Sequence, residues 1–256
     1  MRRFVIFIAY DHSRSKKVLN FLRQSNHISK ICIVDNEGSL SLGSYNEVLL
    51  IKGSNKNHEF SGWQEGLKKI QDVENISKDD EIIFMNDTVF AHHKIPRFIW
   101  KSFVKFTVNN SALGFESKIS GGFSLNNFYT ESWLSTFLFK LNYSSLCKMN
   151  CQIDYGETLD KYVVKSFGKS FLNLEDKNLE KHILAWLFSG GWYASEKLTE
   201  RNFDSFRKKT LCILNEKYFS CMLNNQNIKI VNILPRRTFS WYKNKILCKL
   251  NISIIR

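Results

Sequence analysis

The chain has 256 residues, 43% of them hydrophobic and 14% aromatic, which is enough apolar material for one large domain and excludes a disordered protein. No apolar run approaches the ~20 residues that a membrane-spanning helix needs. The net charge of +13 favours anionic partners, such as nucleic acid, acidic membranes or phosphorylated substrates.

The N-terminal segment MRRFVIFIAYDHS combines two arginines with an apolar run, as a signal peptide does. The run is short, however, and it leads into Tyr10, Asp11 and His12 without a small-residue cleavage site. We therefore predict that this segment is the first strand of a cytoplasmic protein.

Strand and helix patterns alternate through the first part of the chain. Continuous β-branched and aromatic runs predict strands in RRFVIFIAYD, KICIVDNEGS, EVLLIKGSNKN and DEIIFMNDTVF. Apolar residues at helical spacing predict helices in SRSKKVLNFLRQS and EFSGWQEGLKKIQDV. The order strand, helix, strand, strand, helix, strand indicates a parallel sheet that is covered by helices.

The second half of the chain shows less regular patterns. SALGFES and SWLSTFLFKLN are typical of short strands, and NLEKHILAWLFSGGW is typical of a helix closed by Gly190 and Gly191. The segment FRKKTLCILNEKYFSCMLNNQNIKIVNI predicts a helix followed by a short strand. After Glu216 no acidic residue occurs, so the positive charge is concentrated near the C-terminus.

Polar residues stand where the predicted strands end. They are Tyr10-Asp11, Asp35-Asn36, Gly53-Ser54-Asn55 and Asn86-Asp87. Ligands of open parallel sheets bind at the carboxyl ends of the strands. The sequence therefore predicts one polar edge that can hold a ligand.

The order and spacing of these segments resemble the GT-A fold of nucleotide-sugar glycosyltransferases, in particular the family 2-like and rhamnan-synthesis-like enzymes of bacterial surface polysaccharides. The matching segments are VIFIAYDHS, CIVDNEGS, SNKNHEFSGWQEGL, DEIIFMNDTVF, WLSTFLFKLN and ILNEKYFSCMLNNQNIKI, which together touch most of the chain. The resemblance implies an α/β fold with a mostly parallel, Rossmann-like sheet, helices on both faces and a C-terminal helical, basic tail.

We accordingly expect a single glycosyltransferase domain over residues 1–232. Its nucleotide-sugar-binding half would be 1–110, and its acceptor-binding half 111–232. Residues 233–256 form a basic tail with four apolar residues at helical spacing: Phe239, Tyr242, Ile246 and Leu250. This pattern predicts contact with an anionic membrane surface, and a solvated basic tail is the alternative.

The resemblance also implies a donor site. The residues it assigns to the nucleotide sugar are Ala9, Tyr10, Asp11, Asp35, Asn36, Asn57, Gly62, Asn86 and Asp87. Asp35 would accept a hydrogen bond from the base or ribose, and a plain turn is the alternative. Gly62 would let the backbone approach the donor near a helix N-terminus, and a plain amphipathic helix is the alternative.

The family motif at the fourth strand is Asp-x-Asp or Asn-Asp-Asp, and its last acid contacts a divalent cation that bridges the diphosphate. In this chain Thr88 replaces that acid, while Asp87 remains. The resemblance therefore implies either that Asp87 binds Mg²⁺ or Mn²⁺, or that the donor is bound without a metal. A strand-ending turn is a third interpretation.

An inverting transfer needs a carboxylate that takes the proton of the attacking hydroxyl. In the resembling enzymes this acid opens a helix late in the domain, which makes Glu216 the first candidate. Glu175 and Asp176, at another predicted helix start, are the second. Each acid is equally typical of a helix N-terminus, where a carboxylate favours the macrodipole.

The leading hypothesis is a peripheral glycosyltransferase at the cytoplasmic membrane face, acting in O-antigen, lipopolysaccharide or capsule synthesis. It would move a sugar from a UDP-, dTDP- or GDP-linked donor to a lipid-linked oligosaccharide. One alternative is a nucleic-acid-binding protein, but no RNP-like, helix-turn-helix or zinc signature occurs, so we expect no nucleic-acid partner. The other is a catalytically inactive scaffold, which Thr88 motivates.

Overall fold

The computed structural model describes residues 1–41, 46–91, 95–168, 170–190 and 197–233. Gly191 and the predicted membrane-contacting tail from residue 234 onward lie outside these ranges, so the expectations placed on them stay predictions. Among the described residues, no helix combines the length and the apolar character needed to cross a membrane.

The first half of the chain forms the elements that the sequence predicts. They are β1 (Arg3–Ala9), α1 (His12–Arg23), β2 (Lys30–Asp35), β3 (Val48–Lys52), α2 (Glu59–Val73) and β4 (Glu81–Asn86). β1 pairs with β2 and β4, and β2 pairs with β3, all in parallel. Near-continuous apolar runs are the mark of parallel strands buried on both faces, which is how β1 and β4 are placed.

The two faces of β1 belong to two different cores. Phe4 and Ile6 pack into a cluster with apolar residues of α2 and of the later helix α8 (Phe203–Asn225). Val5 and Phe7 point the opposite way, into a second cluster with residues of α1 and of the later helix α4 (Arg97–Lys105). Successive side chains of a strand alternate between faces, so one apolar run supplies both cores. The predicted helices on both faces of the sheet are thereby confirmed.

Helix α2 lies unusually close to the sheet because two glycines face it. A Cβ atom added at Gly66 would stand 2.4 Å from Ile6 Cγ2, and one added at Gly62 would stand 2.8 Å from Ile8 Cδ1. Gly62 does permit a close backbone approach, but the approach is to β1. The structure therefore places this glycine in the helix–sheet contact, as the amphipathic-helix alternative requires.

After β4 the chain forms two helices that the sequence analysis did not predict, α3 (Thr88–Ala91) and α4 (Arg97–Lys105). They are followed by β5 (Ser111–Leu125) and β6 (Phe128–Asn142), a hairpin much longer than SALGFES and SWLSTFLFKLN suggest. Its two-residue turn, Asn126 and Asn127, has φ of 52° and 69°, the conformation that a tight hairpin turn demands.

The remaining elements complete the sheet and the outer helices. They are α5 (Tyr143–Lys148), α6 (Gly156–Leu159), α7 (Lys177–Ala185), α8 (Phe203–Asn225) and β7 (Lys229–Asn232). A single π-helical turn, Trp186–Gly190, continues α7. The predicted helix and short strand at the end of the domain are confirmed as α8 and β7.

Within the described ranges, seven strands form one sheet in the order β3-β2-β1-β4-β6-β5-β7. β6 runs antiparallel to both of its neighbours, and the other neighbouring pairs are parallel. The predicted fold class, α/β with a mostly parallel Rossmann-like sheet, is thus confirmed. The sheet contains strands from both predicted halves of the domain, since β6 of the second half pairs with β4 of the first.

Candidate active site

A cavity of about 760 Å³ opens at the carboxyl ends of β1 and β4. One side, here called the strand-end wall, is lined by Tyr10, Arg14, His58, Asn86 and Asp87. The facing side, here called the helical wall, is lined by residues of β6, α7 and α8: Trp133, Thr136, His182, Lys209, Glu216 and Lys217. The volume is in the range of pockets that hold a cofactor or drug-sized ligand.

Asp87 is fixed at the strand-end wall by hydrogen bonds to the end of β1 and to the residues that follow it. Its N–H donates to the carbonyl of Ile8 at 3.2 Å. Its Oδ2 atom accepts hydrogen bonds from the N–H groups of Asp11, at 2.8 Å, and Tyr10, at 3.2 Å. Its Oδ1 atom is buried and has no hydrogen-bond partner among the described residues. Burial raises the pKa of Asp87, against the opposing effects of the Tyr10 N–H and the Arg14 charge.

Two further polar atoms at this wall are, like Asp87 Oδ1, buried and unpaired in the described part of the chain. They are Tyr10 Oη and His58 Nε2. The Asn36 side chain approaches the Tyr10 hydroxyl but does not complete a hydrogen bond. Because buried polar atoms in proteins are nearly always paired, three such atoms in one cavity indicate where a ligand supplies the partners.

His58 is a site residue that the sequence analysis missed. It precedes α2 with φ of 52° and ψ of −132°, a conformation that suits glycine and is costly for a histidine. Burial lowers its pKa, so the ring is neutral and one nitrogen donates while the other accepts. Neither the strained backbone nor the buried nitrogen leaves a signal in the sequence HEFSGW.

Asp35 forms a turn, and its oxygens are occupied within its own loop. Oδ1 accepts hydrogen bonds from the N–H groups of Glu37, at 3.1 Å, and Gly38, at 2.9 Å. Oδ2 accepts one from the Leu40 N–H at 2.6 Å. Asp35 does not line the cavity. The structure therefore favours the turn alternative over a contact with the base or ribose.

Asn57 joins three distant segments of the chain. Its Nδ2 donates to both carboxylate oxygens of Asp154, at 3.0 and 2.9 Å, and Asn215 Nδ2 donates to the same carboxylate at 2.8 Å. The Asn57 N–H donates to Ser61 Oγ. Asn57 lines a second, smaller cavity and not the cavity at the strand-end wall. In the structure it therefore stabilises a contact between distant segments and does not face the predicted donor site.

The other predicted donor residues have mixed positions. Ala9 is buried inside the sheet. Asp11 caps α1 by accepting the Arg14 N–H, which lowers its pKa. Asn36 Oδ1 lies in the space that a Cβ at Gly53 would occupy. Only Asn86, whose Oδ1 accepts the Thr88 N–H at 3.1 Å, joins Tyr10 and Asp87 on the cavity surface.

Glu216 lies on the helical wall, in a network of hydrogen bonds. Thr136 donates to its Oε2 from both N–H and Oγ1, each at 3.0 Å, and Lys217 Nζ donates to its Oε1 at 2.8 Å. Burial alone would raise the pKa of Glu216, but Lys217 and Thr136 outweigh it and lower this pKa. Lys217 Nζ also stands 3.5 Å from the centre of the Trp133 ring.

One expectation about Glu216 is wrong. The residue does not open a helix but lies in the middle of α8, which begins at Phe203. The helix starts early because a capping box between Thr199 and Asn202 organises the preceding turn. Glu216 therefore does not act as an N-terminal acid that favours the helix macrodipole. It still lines the cavity, as a catalytic base would have to.

Asp176 and Glu175 do not reach the cavity. Asp176 caps α7, with Oδ1 accepting the Leu179 N–H at 2.9 Å, and its Oδ2 accepts the Ser124 N–H at 2.6 Å. Glu175 precedes it and is exposed. The helix-cap alternative fits Asp176, because an N-cap acid satisfies N–H groups that the helix leaves unpaired.

The strand-end wall offers few protein ligands for a cation, and the predicted metal contact of Asp87 stays a prediction. In the parts of the chain that the structure describes, no group of three His, Cys, Asp or Glu side chains is placed to hold a metal ion. Asp87 contributes one unpaired carboxylate oxygen, and the Thr88 hydroxyl donates to Asn86 Oδ1. Mg²⁺ usually takes one or two carboxylates together with substrate phosphates, so this set is minimal at best.

Comparison with known proteins adds only distant likenesses. No family model matches the chain, and no curated protein does. A 2-C-methyl-D-erythritol 4-phosphate cytidylyltransferase from Francisella tularensis is similar with a TM-score of 0.41 and 10% identity, over 64% of this chain and 83% of that one.

Two structures of 4-diphosphocytidyl-2C-methyl-D-erythritol synthase are similarly distant. One has a TM-score of 0.44 at 10% identity, and covers 82% of this chain and 99% of that one. The other, from Anaerococcus prevotii, has a TM-score of 0.34 at 10% identity, over 81% and 96%. At these values the likeness assigns no activity, and the fold described above follows from the strand order of the chain itself.

Proposed function

We propose that the protein is a glycosyltransferase that moves a sugar from a nucleoside-diphosphate donor to a glycan acceptor. The observation that carries the proposal is the convergence of three unpaired buried atoms, Tyr10 Oη, His58 Nε2 and Asp87 Oδ1, on one cavity. This cavity lies at the carboxyl ends of parallel strands, where open α/β sheets bind nucleotides.

The strand-end wall suits the nucleoside and diphosphate of the donor. Burial raises the pKa of Tyr10 well above its ordinary value, so its hydroxyl stays a neutral hydrogen-bond donor. The aromatic ring of Tyr10 adds apolar surface next to this hydroxyl. Neutral His58 adds a second uncharged hydrogen-bonding group. Asp87 supplies an acceptor for ribose hydroxyls. The wall thus combines the ring surface and polar groups that a nucleoside needs.

The helical wall suits the transferred sugar and the acceptor. Trp133 and Trp186 line it, and Trp186 is 37% exposed, which leaves aromatic surface open to a sugar ring. Glu216 faces the same cavity and its lowered pKa keeps it ionised at neutral pH. We assign it the role of base, which takes the proton of the acceptor hydroxyl as this oxygen attacks the anomeric carbon.

The finer parts of the proposal rest on the sequence resemblance. They are a UDP-, dTDP- or GDP-linked donor, an inverting reaction, and a lipid-linked oligosaccharide acceptor of bacterial surface polysaccharide synthesis. The strongly basic C-terminal tail would hold the enzyme at the anionic cytoplasmic face of the membrane.

The test is a calorimetric and thermal-shift screen of UDP, GDP and dTDP and of their common sugar conjugates, each with EDTA and with Mn²⁺. Ligands that bind the folded protein raise its melting temperature. We expect one nucleotide to bind with micromolar affinity. Absence of binding to every nucleotide in both conditions would overturn the proposal.

A matched pair of variants tests the base. Glu216→Gln should lower donor hydrolysis or transfer by about 100-fold or more while nucleotide binding is retained. Glu175→Gln removes an exposed carboxylate outside the cavity and should leave the rate unchanged. If the wild-type protein binds the donor but neither hydrolyses nor transfers it, the inactive-scaffold alternative is correct instead.

A further inference from the structure

Arg14 brings a permanent positive charge to the strand-end wall. It lies in the first turn of α1, lines the cavity, and its side chain is 45% exposed. Its Nε stands 3.5 Å from Asp11 Oδ1, and its charge acts on the carboxyl of Asp87. The positive charge of Arg14 therefore acts on the carboxylate whose buried Oδ1 atom has no hydrogen-bond partner in the described chain.

Arg14 stands in a helix turn that already carries partial positive charge. The first turn of a helix carries partial positive charge, which favours acidic side chains there. In α1 this turn contains no acidic residue, and Arg14 adds a full positive charge to it. The N-cap carboxylate of Asp11 offsets part of this charge through its ion pair with Arg14, and the Arg14 side chain also lines the cavity, where positive charge favours an anionic ligand.

A second cation stands across the cavity. Lys209 of α8 lines the helical wall, and its Nζ is 5.6 Å from the centre of the Trp186 ring. A ligand held between the two walls therefore has Arg14 on one side and Lys209 on the other. The cavity is also lined by the acids Glu37, Glu59 and Glu216. A diphosphate would therefore be held at the two cations, and at Arg14 in particular, because guanidinium groups bind phosphate oxygens through paired hydrogen bonds.

Building on the proposed function, we propose that Arg14 neutralises the diphosphate of the donor, so that this transferase binds its nucleotide and releases its leaving group without a divalent cation. The replacement of the last motif acid by Thr88 then does not imply a loss of donor binding. The positive charge of Arg14 takes the place of the metal ion that this acid would bind.

The reaction balances without a metal. The acceptor oxygen forms a bond to the anomeric carbon, and the bond between this carbon and the diphosphate oxygen breaks. The acceptor proton passes to the Glu216 carboxylate. The bonding electrons leave with the diphosphate, which gains one negative charge, and Arg14 lies where this charge would develop. Fixed positive groups at a developing charge stabilise such a transition state.

The test is calorimetry with UDP, GDP and dTDP on three proteins: wild type, Arg14→Gln and Lys17→Gln. Lys17 lies on the exposed side of the same helix and does not line the cavity, so its variant controls for the loss of one charge. Each titration is made in EDTA and again in Mn²⁺. Arg14→Lys is added to separate charge from guanidinium geometry.

We expect the wild-type Kd for the bound nucleotide to differ by less than about 3-fold between EDTA and Mn²⁺. Arg14→Gln should weaken binding by about 10- to 100-fold in both conditions, the usual range for a charge-assisted hydrogen bond. The Kd of Arg14→Lys should lie between those of wild type and Arg14→Gln, and the Kd of Lys17→Gln should equal that of wild type.

Two outcomes would overturn the inference while leaving the proposed function intact. They are nucleotide binding that EDTA abolishes and Mn²⁺ restores, and an Arg14→Gln protein that binds as tightly as Lys17→Gln. If no nucleotide binds the wild-type protein in either condition, the proposed function fails and this inference fails with it.

Discussion

Asp35 is the last residue of β2 and Asp87 directly follows β4, and both strands neighbour β1. In sequence the two acids look alike. In the structure they differ in the number of acceptor positions that neighbouring N–H groups fill, and only Asp87 lines the cavity. Three backbone N–H groups occupy both oxygens of Asp35. Two occupy one oxygen of Asp87, and the other is buried and unpaired in the described chain. An acid at a strand end marks a site only when its local hydrogen bonds leave part of it unused.

The largest expected effect of this difference is on binding. Asp87→Asn keeps an acceptor for the Tyr10 and Asp11 N–H groups but removes the charge and places an amide toward the cavity. We expect nucleotide affinity to fall by about 10- to 100-fold, as for a lost charge-assisted hydrogen bond. Calorimetry measures it, and an unchanged Kd would show that the free oxygen does not face the ligand.

The matching variant on the other strand should affect folding. Asp35→Asn leaves one of the three loop N–H groups facing an amide donor, so we expect the free energy of unfolding to fall by about 2 kcal/mol. Urea denaturation measures this loss. Nucleotide affinity of the folded fraction should equal that of wild type, and a Kd raised tenfold would instead support a direct role of Asp35 in binding.

A substitution at His58 separates a residue's effect on ligand binding from its effect on backbone strain. His58→Gly relieves the positive φ at the start of α2 but removes the ring that faces the cavity. We expect affinity to fall by about 5-fold, equivalent to about 1 kcal/mol, while the free energy of unfolding does not decrease. His27→Gly, in an exposed loop away from the cavity, is the control for affinity. Lower stability with unchanged affinity would contradict this.

The smallest effect concerns pH. Because burial raises the pKa of Asp87, the folded protein holds this proton more firmly than the unfolded chain does. The contribution of Asp87 to stability is therefore complete below its unfolded pKa of about 3.9 and is lost as the pH rises through the folded pKa. Compared with Asp87→Asn, wild type should lose stability in urea unfolding as the pH rises from 3.5 to 7. A difference that stays constant with pH would contradict the unpaired, buried oxygen.

The parallel half of the fold was predictable because each strand is an uninterrupted apolar run ending in polar residues. The register pairs Ile8 with Asn86 and Ala9 with Asp35, so the polar residues that follow must meet at one edge. Burial on both faces leaves such a segment little choice of conformation. For this reason Tyr10, Asn86 and Asp87 were found from the sequence, and all three line the cavity.

The features of the site that the sequence did not reveal depend on contacts between distant parts of the chain. Asn57 looks like a ligand-binding residue until Asp154, 97 positions later, is seen to hold it. His58 differs from other histidines by a backbone angle. His182 and Lys217 of the helical wall are brought to β6 only by the folding of α7 and α8. None of these relations has a period or a spacing that a pattern search can detect.

The tight seat of α2 on the sheet has a consequence for what the cavity can accept. Gly62 and Gly66 leave no room between the helix and β1, and His58 is the N-cap residue directly before that helix. An alanine at Gly66 would push the whole helix outward, and His58 with it. The width of the cavity at its strand-end wall therefore depends on the packing of Gly66, a residue of the helix–sheet contact that does not itself line the cavity.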